Sequence, residues 1–167
     1  MRFRLLTLSL LLLSLPSSAE AAFDGKLIFT PPAGFRLMTQ QEIGLKFPSN
    51  NTPQVVYTNE ALTCSVALTH SRSKLQPDKL EAFKSFLESA LRKQPGLEWT
   101  TSEMIRVADV RWIHFVFISQ AVDQKIRNEM LATPFQGRAL LVNLNCTVKD
   151  YPVYRKGLDA CRESFRI

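Results

Sequence analysis

The segment Val110–Ala121 constrains the fold more than any other part of the sequence, because it is apolar on two sides. Its side chains alternate with the two-residue period of a β-strand. One side presents Trp112, Val116 and Ile118, and the other presents Ile113, Phe115 and Phe117. An antiparallel sheet commonly exposes one face to water, so a strand that is apolar on both faces has to be covered on both. The segment therefore predicts a sandwich with a covering layer on each face of a sheet.

Neighbouring segments predict that this sheet is antiparallel. Glu98–Val107 comes before the apolar strand, and Lys125–Thr133 and Arg138–Val148 come after it, with only short connections between them. Four strands joined in this way are typical of an antiparallel meander. Earlier in the chain, Gln54–Asn59 and Leu62–His70 predict the two strands of a hairpin.

Two helices are predicted as the covering layers. After Pro77 the apolar residues recur every three or four positions, which is the period of an amphipathic helix. Its apolar stripe consists of Leu80, Phe83, Phe86, Leu87, Ala90 and Leu91. A second helix is predicted near Pro152–Phe165, with a buried side formed by Val153, Leu158, Cys161 and Phe165. The predicted fold class is therefore α+β, an antiparallel β-sheet covered by helices.

The first 21 residues have the layout of a secretory signal peptide. Two arginines precede the apolar run Leu5–Leu15, and small residues follow it where a signal peptidase reads. The run is too short for an uncleaved anchor, which needs about 20 apolar residues to cross a membrane. We expect cleavage after Ala21, with Ala22 as the alternative position. Residues 22–167 would then form a single domain in a bacterial periplasm, without stable membrane insertion.

The beginning of this domain is less regular than the rest. Lys26–Thr30 predicts a short strand, and Pro31–Gly34 predicts a turn, since proline fixes φ and glycine admits positive φ. Gly44–Phe47 is a second short apolar segment, which a polar, proline-containing run closes.

The charge of the chain does not define a partner class. The formal net charge is +6, and the basic residues are scattered along the sequence. A well-solvated surface is the first interpretation of such a surplus, with an acidic partner or anionic lipid as the alternative. No basic stripe with interleaved aromatic residues occurs, and an exported protein rarely meets nucleic acid, so we expect no nucleic-acid partner.

Three cysteines, Cys64, Cys146 and Cys161, remain in the mature chain. In an oxidising compartment two of them can form a disulfide. We predict a bond between Cys146 and Cys161, because Cys146 ends a strand and Cys161 lies on a helix that should fold back over it. The alternative is that all three are small buried thiols.

The residues needed for common chemistries are sparse. His70 and His114 are the two histidines, and no Cys-x-x-Cys, Gly-x-Ser-x-Gly or phosphate-binding glycine loop occurs. We therefore expect no metal, no cofactor and no catalytic site. His114 alternates with apolar residues and predicts a hydrogen-bonded core histidine, whereas His70 ends a strand and is expected at the surface. Cys64 with His114 stays open as a dispersed site, since separate strands can be neighbours.

The segment Phe29-Thr-Pro-Pro-Ala-Gly-Phe35 resembles the opening of PsbP-like and DcrB-like proteins, in which a strand runs into a proline-glycine-aromatic turn. The order of the later elements is similar as well, down to the terminal Ser164-Phe165-Arg166-Ile167. The resemblance covers nearly the whole mature chain and implies an α/β/α sandwich. The resemblance assigns no functional residues in this chain. This chain also lacks the lipidated cysteine of DcrB-type lipoproteins, and its leader disagrees with the cytoplasmic toxin chaperones of the family.

Members of that family are mostly non-enzymatic and bind other proteins, so the resemblance implies the same here. We expect a non-catalytic periplasmic protein that binds another protein, as an envelope accessory factor or as an immunity protein against a toxin. One alternative is a carrier of a small apolar ligand or lipid, with a cavity lined by Phe83, Phe86 and Trp112. The other is an enzyme with a dispersed site around His114 and Cys64.

Overall fold

A computed structural model describes residues 17–47 and 52–167, and these residues form nine strands and three α-helices. In chain order they are β1 Glu20–Ala22, β2 Leu27–Phe29, β3 Arg36–Leu37, α1 Gln40–Lys46, β4 Val55–Thr58, β5 Cys64–Lys74, α2 Leu80–Arg92, β6 Glu98–Val107, β7 Val110–Gln120, β8 Lys125–Phe135, β9 Arg138–Thr147 and α3 Tyr151–Ser164. A short 3₁₀ turn, Pro77–Lys79, leads into α2.

Seven strands build one antiparallel sheet in the spatial order β3-β4-β5-β9-β8-β7-β6. The predicted meander is confirmed, because β6, β7, β8 and β9 pair in sequence. The last strand then pairs with β5, so the N-terminal hairpin and the C-terminal meander share one sheet. The strands β1 and β2 form a separate two-stranded hairpin.

One face of the sheet is covered by α3 and the β1–β2 hairpin. Leu158 and Phe165 from the helix region are almost completely buried, and Phe165 stacks on Phe29 of β2 with ring centroids 5.3 Å apart. Trp112 of β7 packs into the same cluster. We call this side of the sheet the closed face.

The helices α1 and α2 lie on the opposite face and cover its two sides. Leu80 and Phe83 of α2 pack against Ile113 and Phe115 of β7. Ile43 of α1 packs in a separate cluster with residues of β4 and β5. The apolar sides of β7 thus lie under different layers, which confirms the predicted sandwich.

The helix α1 occupies a region that the sequence pattern presented only as the short apolar segment Gly44–Phe47. A capping box starts it: the Thr39 hydroxyl accepts from the Glu42 backbone N–H, and the Glu42 carboxylate accepts from the Thr39 N–H. The proline-rich turn is confirmed, with Gly34 at φ 77° and the Phe35 N–H donating to the Pro32 carbonyl.

The disulfide links Cys64 to Cys146, so the predicted bond between Cys146 and Cys161 is wrong. The register of β5 against β9 sets these two residues directly opposite each other, with their Cα atoms 4.0 Å apart. Cys161 is a free, buried thiol on α3. Burial, and then the negative charge of Glu129, raises the pKa of this thiol to about 12.

The predicted signal peptide lies largely outside the described residues, which begin at residue 17. The predicted cleavage position, between Ala21 and Ala22, falls within β1, where these residues pair with Ile28 and Leu27. In the described part of the chain, no helix combines the length and the apolar character needed to cross a membrane.

Candidate functional site

The structure does not bring Cys64 and His114 together. Cys64 lies on β5 and His114 on β7, with β9 and β8 between them. Three strand spacings separate the two backbones, which is about 14 Å. Cys64 is also fully buried and bonded to Cys146, so it offers no thiolate.

His114 is held between two carboxylates on the closed face. Its Nε2 lies 2.9 Å from Glu129 Oε1 and its Nδ1 lies 3.1 Å from Glu103 Oε1. The side chain of Glu129 is 1% exposed and also accepts from Arg127 at 2.8 Å and from Arg162 of α3 at 2.7 Å. These bonds confirm that His114 is a hydrogen-bonded core residue, and they tie α3 to the sheet.

Glu129 remains ionised although it is buried. Burial by itself would raise the pKa of this carboxyl group. The hydrogen bonds from His114, Arg162 and Arg127 outweigh that effect and hold the pKa at about 2. Every strong donor around the carboxylate is already engaged with it, so the cluster is suited to fixing the fold rather than to proton transfer.

His70 is buried, and its predicted surface position is wrong. Its Nε2 lies 3.0 Å from the carbonyl oxygen of Phe135, and Arg138 donates to its Nδ1 at 2.9 Å. The imidazole ring also packs edge-on against the Phe135 ring, with centroids 5.1 Å apart. The two-residue alternation that buries Cys64, Val66 and Leu68 continues to His70, and the register of β5 against β9 shifts only beyond it.

The apolar cavity expected for a carrier is not assembled from its predicted residues. Phe83 packs on the face of the sheet under α2, whereas Trp112 lies on the closed face under α3. The exposed fraction of Phe86 is 66%, so it lies at the surface rather than in a cavity wall. The sheet itself separates the predicted lining residues.

A different concave site lies on the face of α1 and α2, where neither helix covers the centre of the sheet. Two adjoining pockets occupy this gap, of about 430 Å³ and about 360 Å³, and both are lined by Phe47 and Asn145. The first reaches towards α2 and includes Arg72, Phe86 and Asn143. The second reaches towards the β7–β8 turn and includes Lys46, Ser65, Ser119, Asn128 and Thr147. We call the two pockets together the open trough.

Amides and hydroxyls form the floor of the open trough. The register sets Asn145 of β9 beside Ser65 of β5 on one side and beside Asn128 of β8 on the other. The Asn128 amide donates to Ser119 Oγ at 2.9 Å. The Oδ1 atom of Asn145 is buried and accepts no hydrogen bond from any described residue. An unpaired buried acceptor is costly, so a donor that reached this atom on binding would stabilise the complex.

The charges of the open trough are all positive. Lys46 and Arg72 are the charged residues among the described residues that line it. The Lys46 ammonium donates to the Leu62 carbonyl at 2.8 Å, and neither residue forms an ion pair with another described residue. On the closed face, by contrast, Arg127 and Arg162 are both paired with Glu129.

Sequence reasoning missed the open trough, although a signal for it was present. Asparagine is depleted in β-strands. Asn128, Asn143 and Asn145 nevertheless lie within predicted strands, close to one another in sequence. Among the described residues, no group of three or more His, Cys, Asp or Glu side chains could hold a metal ion.

No protein-family model and no curated protein matches the sequence. Solved structures do match it. Cyanobacterial PsbP (CyanoP) from Synechocystis sp. PCC 6803 superposes with a TM-score of 0.60 at 13% identity, covering 95% of this chain and 97% of that chain. This chain has a PsbP-like fold. The expected family resemblance is therefore confirmed at the level of the fold.

Two further structures share the PsbP-like fold. LpqN, involved in cell envelope biogenesis of Mycobacterium tuberculosis, matches with a TM-score of 0.56 at 11% identity, over 92% of this chain and 86% of that chain. The Saccharomyces cerevisiae Ran-binding protein Mog1p matches with a TM-score of 0.53 at 10% identity, over 92% and 96%. At these identities the PsbP-like likeness describes the fold and leaves the function to the site.

Proposed function

We propose that this chain is an exported, non-catalytic accessory protein that binds another protein through the open trough. The observation that carries the proposal is the unequal covering of the sheet. The closed face is covered by α3, which the ion pair between Arg162 and Glu129 joins to the sheet. The centre of the other face is a concave site with an unpaired acceptor. Clefts with a few convergent polar groups are the usual places for recognition.

The rim of the open trough supports a macromolecular partner. Phe86 is 66% exposed and stacks on Phe83, with ring centroids 6.3 Å apart. An exposed aromatic side chain that stacks on a half-buried one is suited to act as an interface anchor, because aromatic residues dominate the binding energy of interfaces. Its position beside polar floor residues matches the pattern of an apolar anchor next to polar contacts.

The PsbP-like neighbours are compatible with this role. Mog1p is a Ran-binding protein, and LpqN is involved in cell envelope biogenesis. The predicted leader would direct the chain to the periplasm, where it would act as an envelope accessory factor or as an immunity protein. Genomic neighbourhood separates these two versions, since an immunity gene lies beside its toxin gene.

Site-specific cross-linking tests the proposal. A photo-reactive phenylalanine analogue replaces Phe86 in one variant and Val153 in the control, and both are irradiated in intact cells. Val153 is a suitable control because it is an exposed apolar residue, at 78%, on α3 across the sheet. We expect one protein to cross-link in stoichiometric amounts from position 86 and not from position 153.

Three results would overturn the proposal. Equal cross-linking from both positions would mean that the partner does not use the open trough. A lipid that co-purifies with the chain and is lost on changing Phe86 would favour the carrier. Turnover of a substrate that depends on His114, with folding intact, would favour an enzyme.

A further inference from the structure

We propose that the open trough binds an extended segment of the partner that carries carboxylates near both of its ends. This inference rests on the proposed function and adds the chemistry of the partner. Three observations on the described residues support it: the sign of the charges, the character of the floor and the length of the site.

The positive charges in the open trough belong to Lys46 and Arg72. Both residues line the trough, and neither forms an ion pair with another described residue. Elsewhere on the same face, Lys84 and Arg92 are both paired with Glu88. No described carboxylate lines the trough, so a negatively charged partner meets two uncompensated cations there without displacing an internal ion pair.

The floor favours a peptide backbone. An extended chain presents alternating N–H donors and C=O acceptors. Side-chain amides can pair with both groups, because each supplies an acceptor oxygen and two donor hydrogens. Asn145 Oδ1 is buried without a donor, and Asn143 lies two residues along the same strand, on the same face. A backbone N–H that reached Asn145 Oδ1, after a rotation of the side chain that exposes this atom, would satisfy it.

The length of the open trough indicates an extended conformation. Ser65 and Arg72 line different pockets and lie on the same strand. At the rise of a β-strand they are separated by about 23 Å. Lys46 lies at the Ser65 end of the trough, so the two cations are far apart. Carboxylates near both ends of a short extended segment can therefore each reach one cation.

Peptide binding tests the inference directly. The probe is a short synthetic peptide, fluorescently labelled, with a glutamate near each end and serine between them. The matched probe carries lysine at the same two positions. We expect the acidic peptide to bind and the basic one not to bind, with an affinity that falls as salt is added.

Charge reversal locates the interaction. We expect the double variant Lys46→Glu and Arg72→Glu to weaken acidic-peptide binding at least tenfold. Lys156→Glu is the control, since Lys156 is an exposed cation on α3 and no partner of it is described. Its effect should be less than twofold. Asn145→Leu should weaken binding of both the peptide and the partner without changing the salt dependence.

Three outcomes would overturn this inference, and they bear differently on the proposed function. A partner that cross-links at position 86 and keeps its affinity in the charge-reversed variant would overturn the inference and leave the proposed function intact. Absence of any cross-link specific to position 86 would overturn both. Acidic-peptide binding that Lys156→Glu weakens as much as the double variant does would also overturn the inference, because the attraction would then come from net charge alone.

Discussion

The two faces of the sheet use polar residues in opposite ways. On the closed face, a buried carboxylate, Glu129, is surrounded by donors from β7, β8 and α3. On the other face, the amide of Asn145 lies in the open trough with its acceptor unpaired. A polar group whose partners are all internal contributes to the fold. A polar group that lacks an internal partner can instead contribute to binding another molecule. This difference between the faces can be tested.

The largest effect is expected from the disulfide of the closed face. The bond joins residues separated by 82 positions, and closing a loop of that length raises the free energy of the unfolded chain by about 4.5 kcal/mol. Replacing Cys64 and Cys146 together by alanine should lower the free energy of unfolding by about that amount, measured by urea denaturation. Cys161→Ala is the control, because that thiol is free. A bond found by peptide mapping between Cys146 and Cys161 would contradict the structure.

Glu129 should give the next largest effect. The variant Glu129→Leu leaves two guanidinium groups and His114 without their shared acceptor under α3, and losing one partner of a buried ion pair typically costs about 3–5 kcal/mol. Asn143→Ala on the opposite face should change the free energy of unfolding by less than about 1 kcal/mol. Similar losses in the two variants would remove the distinction between the faces.

The same carboxylate predicts how stability depends on pH. The pKa of Glu129 is about 2 in the folded chain, against 4.5 for an unperturbed carboxyl group. Its stabilising contribution is therefore complete above pH 4.5 and is lost as the pH falls towards 2, by about 3 kcal/mol in total. Between pH 2 and pH 4.5, the free energy of unfolding should depend less on pH in Glu129→Gln than in the parent chain. The more exposed Glu88 also has a lowered pKa, but solvent screening reduces its effect.

The layers of this fold could be predicted from sequence because they depend on local periodicity. The strand β6 has the predicted bounds, Glu98–Val107, and β7 differs from its prediction by one residue. The pairing of β5 with β9 could not be predicted, since it joins distant segments and no local pattern specifies it. The disulfide prediction was wrong for the same reason.

Local signals were also overlooked. The capping box of Thr39 and Glu42 is a sequence signal for the start of α1. The helix is short, however, and its apolar residues fit a strand equally well. On α2, the spacing of the apolar residues predicts one stripe that includes Phe86, yet Phe86 is exposed beside the open trough. Helical spacing identifies the apolar side of a helix but not how far the neighbouring layer extends over it.

The smallest expected changes in the free energy of unfolding come from single polar side chains, and their sign should differ between the two faces. Thr133 on the closed face donates to the Arg111 carbonyl at 2.9 Å, so Thr133→Val should destabilise the chain by about 1 kcal/mol. Asn145→Leu removes an acceptor that has no internal partner and should leave the free energy of unfolding unchanged or raise it by up to about 1 kcal/mol. Urea denaturation of both variants, compared with the parent chain, measures the difference. A loss in Asn145→Leu as large as that in Thr133→Val would mean that the amide oxygen is satisfied within the fold, and a group with an internal partner is not free to recognise an external one.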